Sequence, residues 1–198
     1  GGAEFGVRGY ITAYNADDGK QVWRFYTTPN PTKAADGAAS DKVFAEKANA
    51  TWGDTGEWTE SGGGGTAWDG MAYDPDLDIM YVGIGNGSPW NQRLRDPAAK
   101  DNLFLSSILA IKPETGEYVW HYQTTPGETW DYTATQPLIY SPVSKGKSRI
   151  ARRQIRARLD WCEERGHFIV GINTVTGSHK PNSCNWCSWN NRFGSSHD

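Results

Sequence analysis

Methionine is scarce in this sequence, with 2 in 198 residues against 10 Trp, 9 Tyr and 23 Gly. That balance argues against a helical bundle and for short aromatic strands joined by glycine turns, an all-β class. No run of eighteen apolar residues occurs, so the sequence offers no helix long enough to cross a membrane. A charged-then-apolar leader is also missing, and the chain starts Gly1-Gly2-Ala3 without Met. Gly1 is therefore expected to be an internal position of a longer protein, and the missing leader carries no information on compartment. Cysteine does not occur before Cys162. Cys184-x-x-Cys187 lies near Cys162, His167 and His179, but a second close-spaced ligand pair is absent, so neither a zinc site nor a thiol-disulfide centre is expected there.

Charge is unevenly spread. Residues 1–139 hold 10 Lys and Arg against 19 Asp and Glu, whereas residues 140–198 hold 10 against 4. A basic segment such as Ile150 to Leu159 could form a helix suited to nucleic acid or an anionic membrane. The acidic part dominates, however, and no nucleic-acid-binding motif is present, so nucleic acid is not an expected partner.

What the sequence does contain is a repeat. Tyr10-Ile11-Thr12-Ala13-Tyr14-Asn15-Ala16-Asp17-Asp18-Gly19-Lys20-Gln21-Val22-Trp23 is echoed 97 residues later by Ser107-Ile108-Leu109-Ala110-Ile111-Lys112-Pro113-Glu114-Thr115-Gly116-Glu117-Tyr118-Val119-Trp120. Each copy alternates apolar and polar residues, turns at Asp-Gly or Thr-Gly, and resumes in a strand closed by Trp, which predicts a β-hairpin. A hairpin cannot bury its own face. Two of them, with a strand at Met80 to Gly85 between, predict the stacked four-stranded sheets of a propeller. Residues 30–65 are predicted to be an insertion that widens the spacing. It ends in Gly62-Gly63-Gly64-Gly65, either a loop or backbone that approaches a ligand closely, with a strand expected to start at Thr66-Ala67-Trp68.

Four motifs in order, Gly2 to Tyr10, Gly62 to Trp68, Gly83-Ile84-Gly85-Asn86-Gly87-Ser88-Pro89-Trp90-Asn91, and Trp130-Asp131-Tyr132, resemble the quinoprotein alcohol dehydrogenases that use pyrroloquinoline quinone (PQQ). The resemblance covers residues 1–139 and implies a partial eight-bladed β-propeller with about three blades present. Its blades carry the docking motif Ala-x-x-x-x-x-Gly-x-x-x-Trp, found here from Ala13 to Trp23 and from Ala110 to Trp120. The adjacent-cysteine disulfide typical of that family is not present.

The resemblance implies PQQ and Ca²⁺ as cofactors, with Glu4, Asn86 and Asp131 as metal ligands, all of them hard oxygen donors. It places Trp68 beneath the quinone ring system, where an indole offers the largest flat side chain. Thr66 is implied as a hydrogen-bonding partner of the cofactor, and Gly2 and Ala3 as backbone that approaches it. Asp131 or Glu4 is implied as the base that takes the proton of a primary alcohol, the choice between them staying open. Relatives that use lanthanides carry a second aspartate two positions after the base; that position is Thr133 here, which favours a divalent ion. The resemblance further implies a periplasmic parent enzyme that passes electrons to a cytochrome c or quinone acceptor. Taken singly, Glu4 also reads as a surface strand charge, Asn86 and Asp131 as turn residues, and Trp68 as a blade-core residue. A non-catalytic propeller serving as a protein-binding scaffold is the alternative, and it would have no reason to keep Glu4, Trp68, Asn86 and Asp131 together.

Residues 140–198 are read as a basic, Cys-containing tail that matches the family poorly. An out-of-frame or mis-joined tail is the preferred explanation of its sudden arginine enrichment. Within it, Gly166 to Val170 and Thr174 to Gly177 faintly resemble a propeller strand and turn, which would bring Arg165 near the family's basic residue. A propeller opened at both ends exposes strand edges, so the segment by itself is expected to be poorly folded and inactive.

Overall fold

The computed structural model describes residues 6–69 and 71–138 in full, and the backbone of strands spanning residues 139–142, 157–163, 168–173 and 179–180. Gly2, Ala3, Glu4, Arg165 and the cysteine pair at 184 and 187 lie outside the described residues. The elements run β1 (Tyr10–Tyr14), β2 (Gln21–Tyr26), α1 (Asp41–Val43), α2 (Trp58–Ser61), β3 (Gly63–Gly64), β4 (Ala72–Asp74), β5 (Ile79–Gly83), β6 (Gly87–Ser88) and α3 (Gln92–Arg95). They continue as β7 (Ser107–Ile111), β8 (Tyr118–Gln123), β9 (Ile139–Pro142), β10 (Ala157–Glu163), β11 (Phe168–Asn173) and β12 (His179–Lys180).

The repeat is a structural one. β1 and β2 pair from Tyr10 opposite Tyr26 to Tyr14 opposite Gln21, and β7 and β8 pair from Ser107 opposite Gln123 to Ile111 opposite Tyr118, each with an irregularity at the last pair. The turns match bond for bond. Asn15 N–H donates to Lys20 O and Gly19 N–H to Asn15 O, as Lys112 N–H does to Glu117 O and Gly116 N–H to Lys112 O, all at 2.8 Å. Gly19 and Gly116 both take a φ of 71°, the left-handed conformation that side-chain-bearing residues resist.

β7–β8 is the outer half of a complete four-stranded antiparallel sheet, ordered β4-β5-β7-β8. All five residues of β7 are buried because both faces of this sheet are covered. Leu109 and Ile111 pack with Ile11, Trp23, Phe25, Phe44 and Phe104 on one face. Ile108 and Ala110 pack with Ala72, Tyr81, Trp120 and Leu138 on the other. The first of these interfaces docks the β1–β2 hairpin onto the sheet through Trp23. Its Nε1–H donates to Pro113 O at 2.9 Å, and its ring lies so close to Gly116 that a Cβ there would sit 2.7 Å from Cδ2.

Residues 30–65 are more than a loop. Besides α1 and α2 they contain a wide helical turn over Phe44–Ala48 and a tight one over Asn49–Thr51. Trp52 and Trp58 are fully buried with ring centroids 4.9 Å apart, and Trp52 Nε1–H donates to Leu103 O at 2.6 Å. The insertion thus brings its own small core, shared with Leu105. The strand expected at Thr66 to Trp68 falls instead on Gly63–Gly64, which pairs with β6.

Beyond residue 138 the backbone forms a second four-stranded antiparallel sheet, ordered β12-β11-β10-β9. Ala157, Arg158 and Leu159, read from sequence as part of a possible basic helix, belong to β10, where alternation in Ala-Arg-Leu-Asp-Trp-Cys suits a strand. The hairpin and two four-stranded sheets make a partial propeller.

Trp23→Ala removes both the hydrogen bond and the ring that join two blades, and is expected to cost about 3–5 kcal/mol. Equilibrium denaturation of the complete protein checks this; Trp23→Phe, which keeps a ring but loses the N–H donor, should fall between the two.

Candidate functional site

The site is built on the backbone just after β5. Ile84 N–H donates to Ser107 O at 2.7 Å, and Ser106 N–H donates to Gly85 O at 2.9 Å. On the other side Gly85 N–H donates to Thr66 O and Gly65 N–H to Asn86 O, both at 2.9 Å. Residues 84–86 are thus held between residues 106–107 and residues 65–66. The glycine run is pinned from its far side as well, with Gly9 N–H donating to Gly64 O at 2.7 Å and Gly64 N–H to Val7 O at 2.9 Å. Gly62 to Gly65 all have positive φ, between 70° and 85°. A Cβ on Gly64 would lie 2.6 Å from Ser88 N, so the glycines are needed for approach to the protein's own backbone.

This frame places Trp68 and Asn86 together. The Trp68 indole lies across Gly85, where a Cβ would meet its Cζ3 at 2.2 Å, and 47 % of the residue stays exposed. A large apolar ring held by its neighbour yet open to solvent is suited to meet a flat ligand. Asn86 is half-buried; its Nδ2–H donates to Gly87 O at 3.1 Å, and its Oδ1 accepts no hydrogen bond among the described residues. Thr66 joins the frame through its carbonyl oxygen.

The Trp130-Asp131-Tyr132 loop follows β8, whose end lies at the same end of the sheet as the end of β5, and reaches the same backbone from there. Ala134 N–H donates to Ile84 O at 3.1 Å, and Ser106 Oγ–H to Tyr132 O at 2.6 Å. Asp131 is exposed with a φ of 63°, and its carboxylate accepts no hydrogen bond among the described residues. Turn formation falls instead to Glu128. Its Oε1 accepts the N–H groups of Trp130 and Tyr132, at 2.5 and 2.9 Å. Burial pushes the Glu128 carboxyl above its ordinary pKa, against the pull of those N–H bonds and of the Arg95 charge.

Of the residues singled out from sequence, Thr66, Trp68, Asn86 and Asp131 are therefore brought to one framework. Glu128 and Arg95 were missed. Arg95 is fully buried, donating from Nη1 to Pro89 O at 2.8 Å and Trp90 O at 2.9 Å and from Nη2 to Glu128 O. Pro126-Gly127-Glu128, one residue before Trp130-Asp131, is a signal of a side-chain-stapled turn. Nothing in the sequence around Arg95 marks it as buried.

Gly85→Ala would drive a methyl group into the Trp68 ring. An expected 1–3 kcal/mol of overpacking should accompany a changed near-ultraviolet circular dichroism signal as the indole is displaced, whereas Gly19→Ala, whose Cβ meets nothing within 4 Å, should leave that signal alone.

Comparison with known proteins agrees with this geometry. The family described as glucose/ethanol/alcohol dehydrogenase, β-propeller domain, of the PQQ type, matches residues 3–155. The dehydrogenase subunit of an alcohol dehydrogenase (quinone) from Gluconobacter oxydans (strain 621H) is 55% identical over 139 residues, which is 70% of this chain and 18% of that protein. Quinohemoprotein alcohol dehydrogenase ADH-IIG from Pseudomonas putida is 56% identical over 179 residues, 89% of this chain and 23% of that protein. The crystal structure of quinohemoprotein alcohol dehydrogenase from Comamonas testosteroni superposes with a TM-score of 0.77 at 42% identity, covering 89% of this chain and 25% of that one. The chain thus spans about a fifth of the length of these curated relatives. With more than half of its length matched and a blade-docking geometry to suit, the chain belongs to the PQQ-type glucose/ethanol/alcohol dehydrogenase β-propeller domain family.

Proposed function

We propose that the complete protein carrying this chain oxidises a primary alcohol to an aldehyde with PQQ and Ca²⁺ as cofactors. The observation that carries the reading is that Trp68, Asn86 and the segment carrying Asp131, through Ala134, all meet at the backbone of residues 84–86. A scaffold needs the Trp and Gly docking contacts but not this second set.

The residues fit the implied groups. Trp68 would provide the surface under the quinone and Thr66 a polar contact beside it. Asn86 Oδ1 and the Asp131 carboxylate, neither engaged by another described residue, would ligate the ion, with Glu4 as the third oxygen ligand and Gly2 and Ala3 approaching the cofactor by backbone. When bound, PQQ supplies the hydride acceptor and Ca²⁺ the Lewis acid. The part left to the chain is proton removal: the Asp131 carboxylate takes the proton of the alcohol hydroxyl, Glu4 being the other group able to do so. Thr133 supports a divalent ion. It is uncharged, and its Oγ1 already accepts from Thr135 Oγ1 and Gln136 Nε2, each at 3.2 Å.

Relatives named alcohol dehydrogenase (quinone) and 1-butanol dehydrogenase (cytochrome c) support a quinone or cytochrome c as the electron acceptor of this one. A periplasmic location belongs to the same reading. The charge reverses near Ile139 while the family match runs on to residue 155; resequencing this stretch in an independent isolate tests whether the tail is in frame.

Reconstitution with PQQ and Ca²⁺, followed by dye-linked ethanol oxidation, is the test. Activity should require both additions, and Asp131→Asn should lower kcat by roughly 10²–10⁴-fold, the usual worth of a general base. Failure to bind PQQ at all would return the scaffold reading.

A further inference from the structure

Glu128 presents an arrangement that neither packing nor the proposed chemistry accounts for. It is fully buried, yet only Oε1 is used, accepting the two N–H groups on either side of Asp131. Oε2 is buried and makes no hydrogen bond of normal geometry, although the Gly87 N–H lies close enough to favour the carboxylate. An apolar side chain of similar size would fill this space without that penalty, so the carboxyl group is retained for what Oε1 holds. What it holds is a residue with a φ of 63°, a left-handed conformation uncommon outside glycine though less costly for Asp than for most residues.

The backbone of Glu128 is anchored in turn. Arg95 donates from Nη2 to Glu128 O, from Nε and Nη2 to Asn102 Oδ1 at 3.3 Å, and from Nη1 to the carbonyls of Pro89 and Trp90. Its guanidinium lies directly on Gly87, where a Cβ would come 2.3 Å from Nη1. Gly87 follows Asn86. One buried cation therefore connects the Asn86 segment to Glu128, and Glu128 connects to Asp131, across 45 residues of chain.

We infer that Arg95 and Glu128 are a positioning pair which fixes Asp131 relative to Asn86, Glu128 acting as a hydrogen-bond acceptor rather than as a charge. The inference rests on the reading of Asp131 as the base. Preorganisation of this kind acts on kcat, because a base displaced by about 1 Å loses rate by as much as 10²-fold while substrate binding is little changed.

The test compares Glu128→Gln, which keeps an oxygen able to accept both N–H groups, with Glu128→Met, which has similar length and accepts neither. Both are made in the complete, PQQ- and Ca²⁺-loaded enzyme. Glu128→Met should lower kcat at least about 30-fold with KM for ethanol within about threefold and PQQ content unchanged, and Glu128→Gln should recover kcat to within about fivefold of the wild type. Wild-type kcat in Glu128→Met overturns the inference. So does loss of PQQ from that variant, which would make Glu128 a general structural residue, and so does a Glu128→Gln enzyme as impaired as Glu128→Met, which would make the charge essential. Asp131→Asn is assayed in parallel. If it is inactive while Glu128→Met is not, the positioning role alone fails; if it is fully active, the base reading fails and takes the inference with it.

Discussion

The site depends on three residues of extended backbone, Ile84 to Asn86, being hydrogen-bonded on both sides. Residues 106–107 hold one side and residues 65–66 the other, while Ala134 binds the carbonyl of Ile84. Each of those segments carries or adjoins a residue of the site: Thr66 and Trp68 on one, Asn86 on the central one, Asp131 just before Ala134. Backbone hydrogen bonds buried from water are costly to leave unmade, so this frame has little freedom to shift. Glycine makes it feasible. Side chains at 64 and 85 would collide with Ser88 N and with the Trp68 ring.

The blades supply the rigidity beneath that frame. Trp23 reaches from the β1–β2 hairpin to the turn of the next hairpin, meeting Pro113 O and the face of Gly116. The turn of the β7–β8 hairpin is thus a receptor for the Trp of the preceding hairpin, which accounts for the joint spacing of Ala, Gly and Trp in the repeat. β7 shows the consequence: flanked on both faces, all five of its residues are buried, and its alternation divides them between two interfaces. Small rigid sheets place the site at their ends, where connections are free to carry function.

Much of this was legible in the sequence because it is local. Alternation and an Asp-Gly or Thr-Gly turn specify a hairpin within some seventeen residues, and the 97-residue repeat is reproduced down to the position of the irregular pair. The motifs around Trp68, Asn86 and Asp131 were readable for the same reason, as short contiguous strings. The glycine run was ambiguous, since a requirement for close approach does not say what approaches; the partner is the chain's own backbone at Arg8 and Ser88. Arg95 and Glu128 were not legible. Arg95 works largely through backbone carbonyls at 89, 90 and 128, and such partners leave no side-chain pattern to match. The region after Ile139 was read chiefly by its charge, with a strand suggested only at Gly166 to Val170, yet β10 carries an alternation that charge counting overlooks.

In the site proposed, Trp68, Asn86 and Asp131 surround one quinone and one divalent ion. A crystal structure of the complete protein loaded with PQQ and Ca²⁺ tests it most directly. The quinone is expected to stack on the Trp68 indole, with the ion bound through Asn86 Oδ1 and the Asp131 carboxylate beside it. A quinone bound elsewhere, with Trp68 covered by another blade and no ion at Asn86, would contradict it.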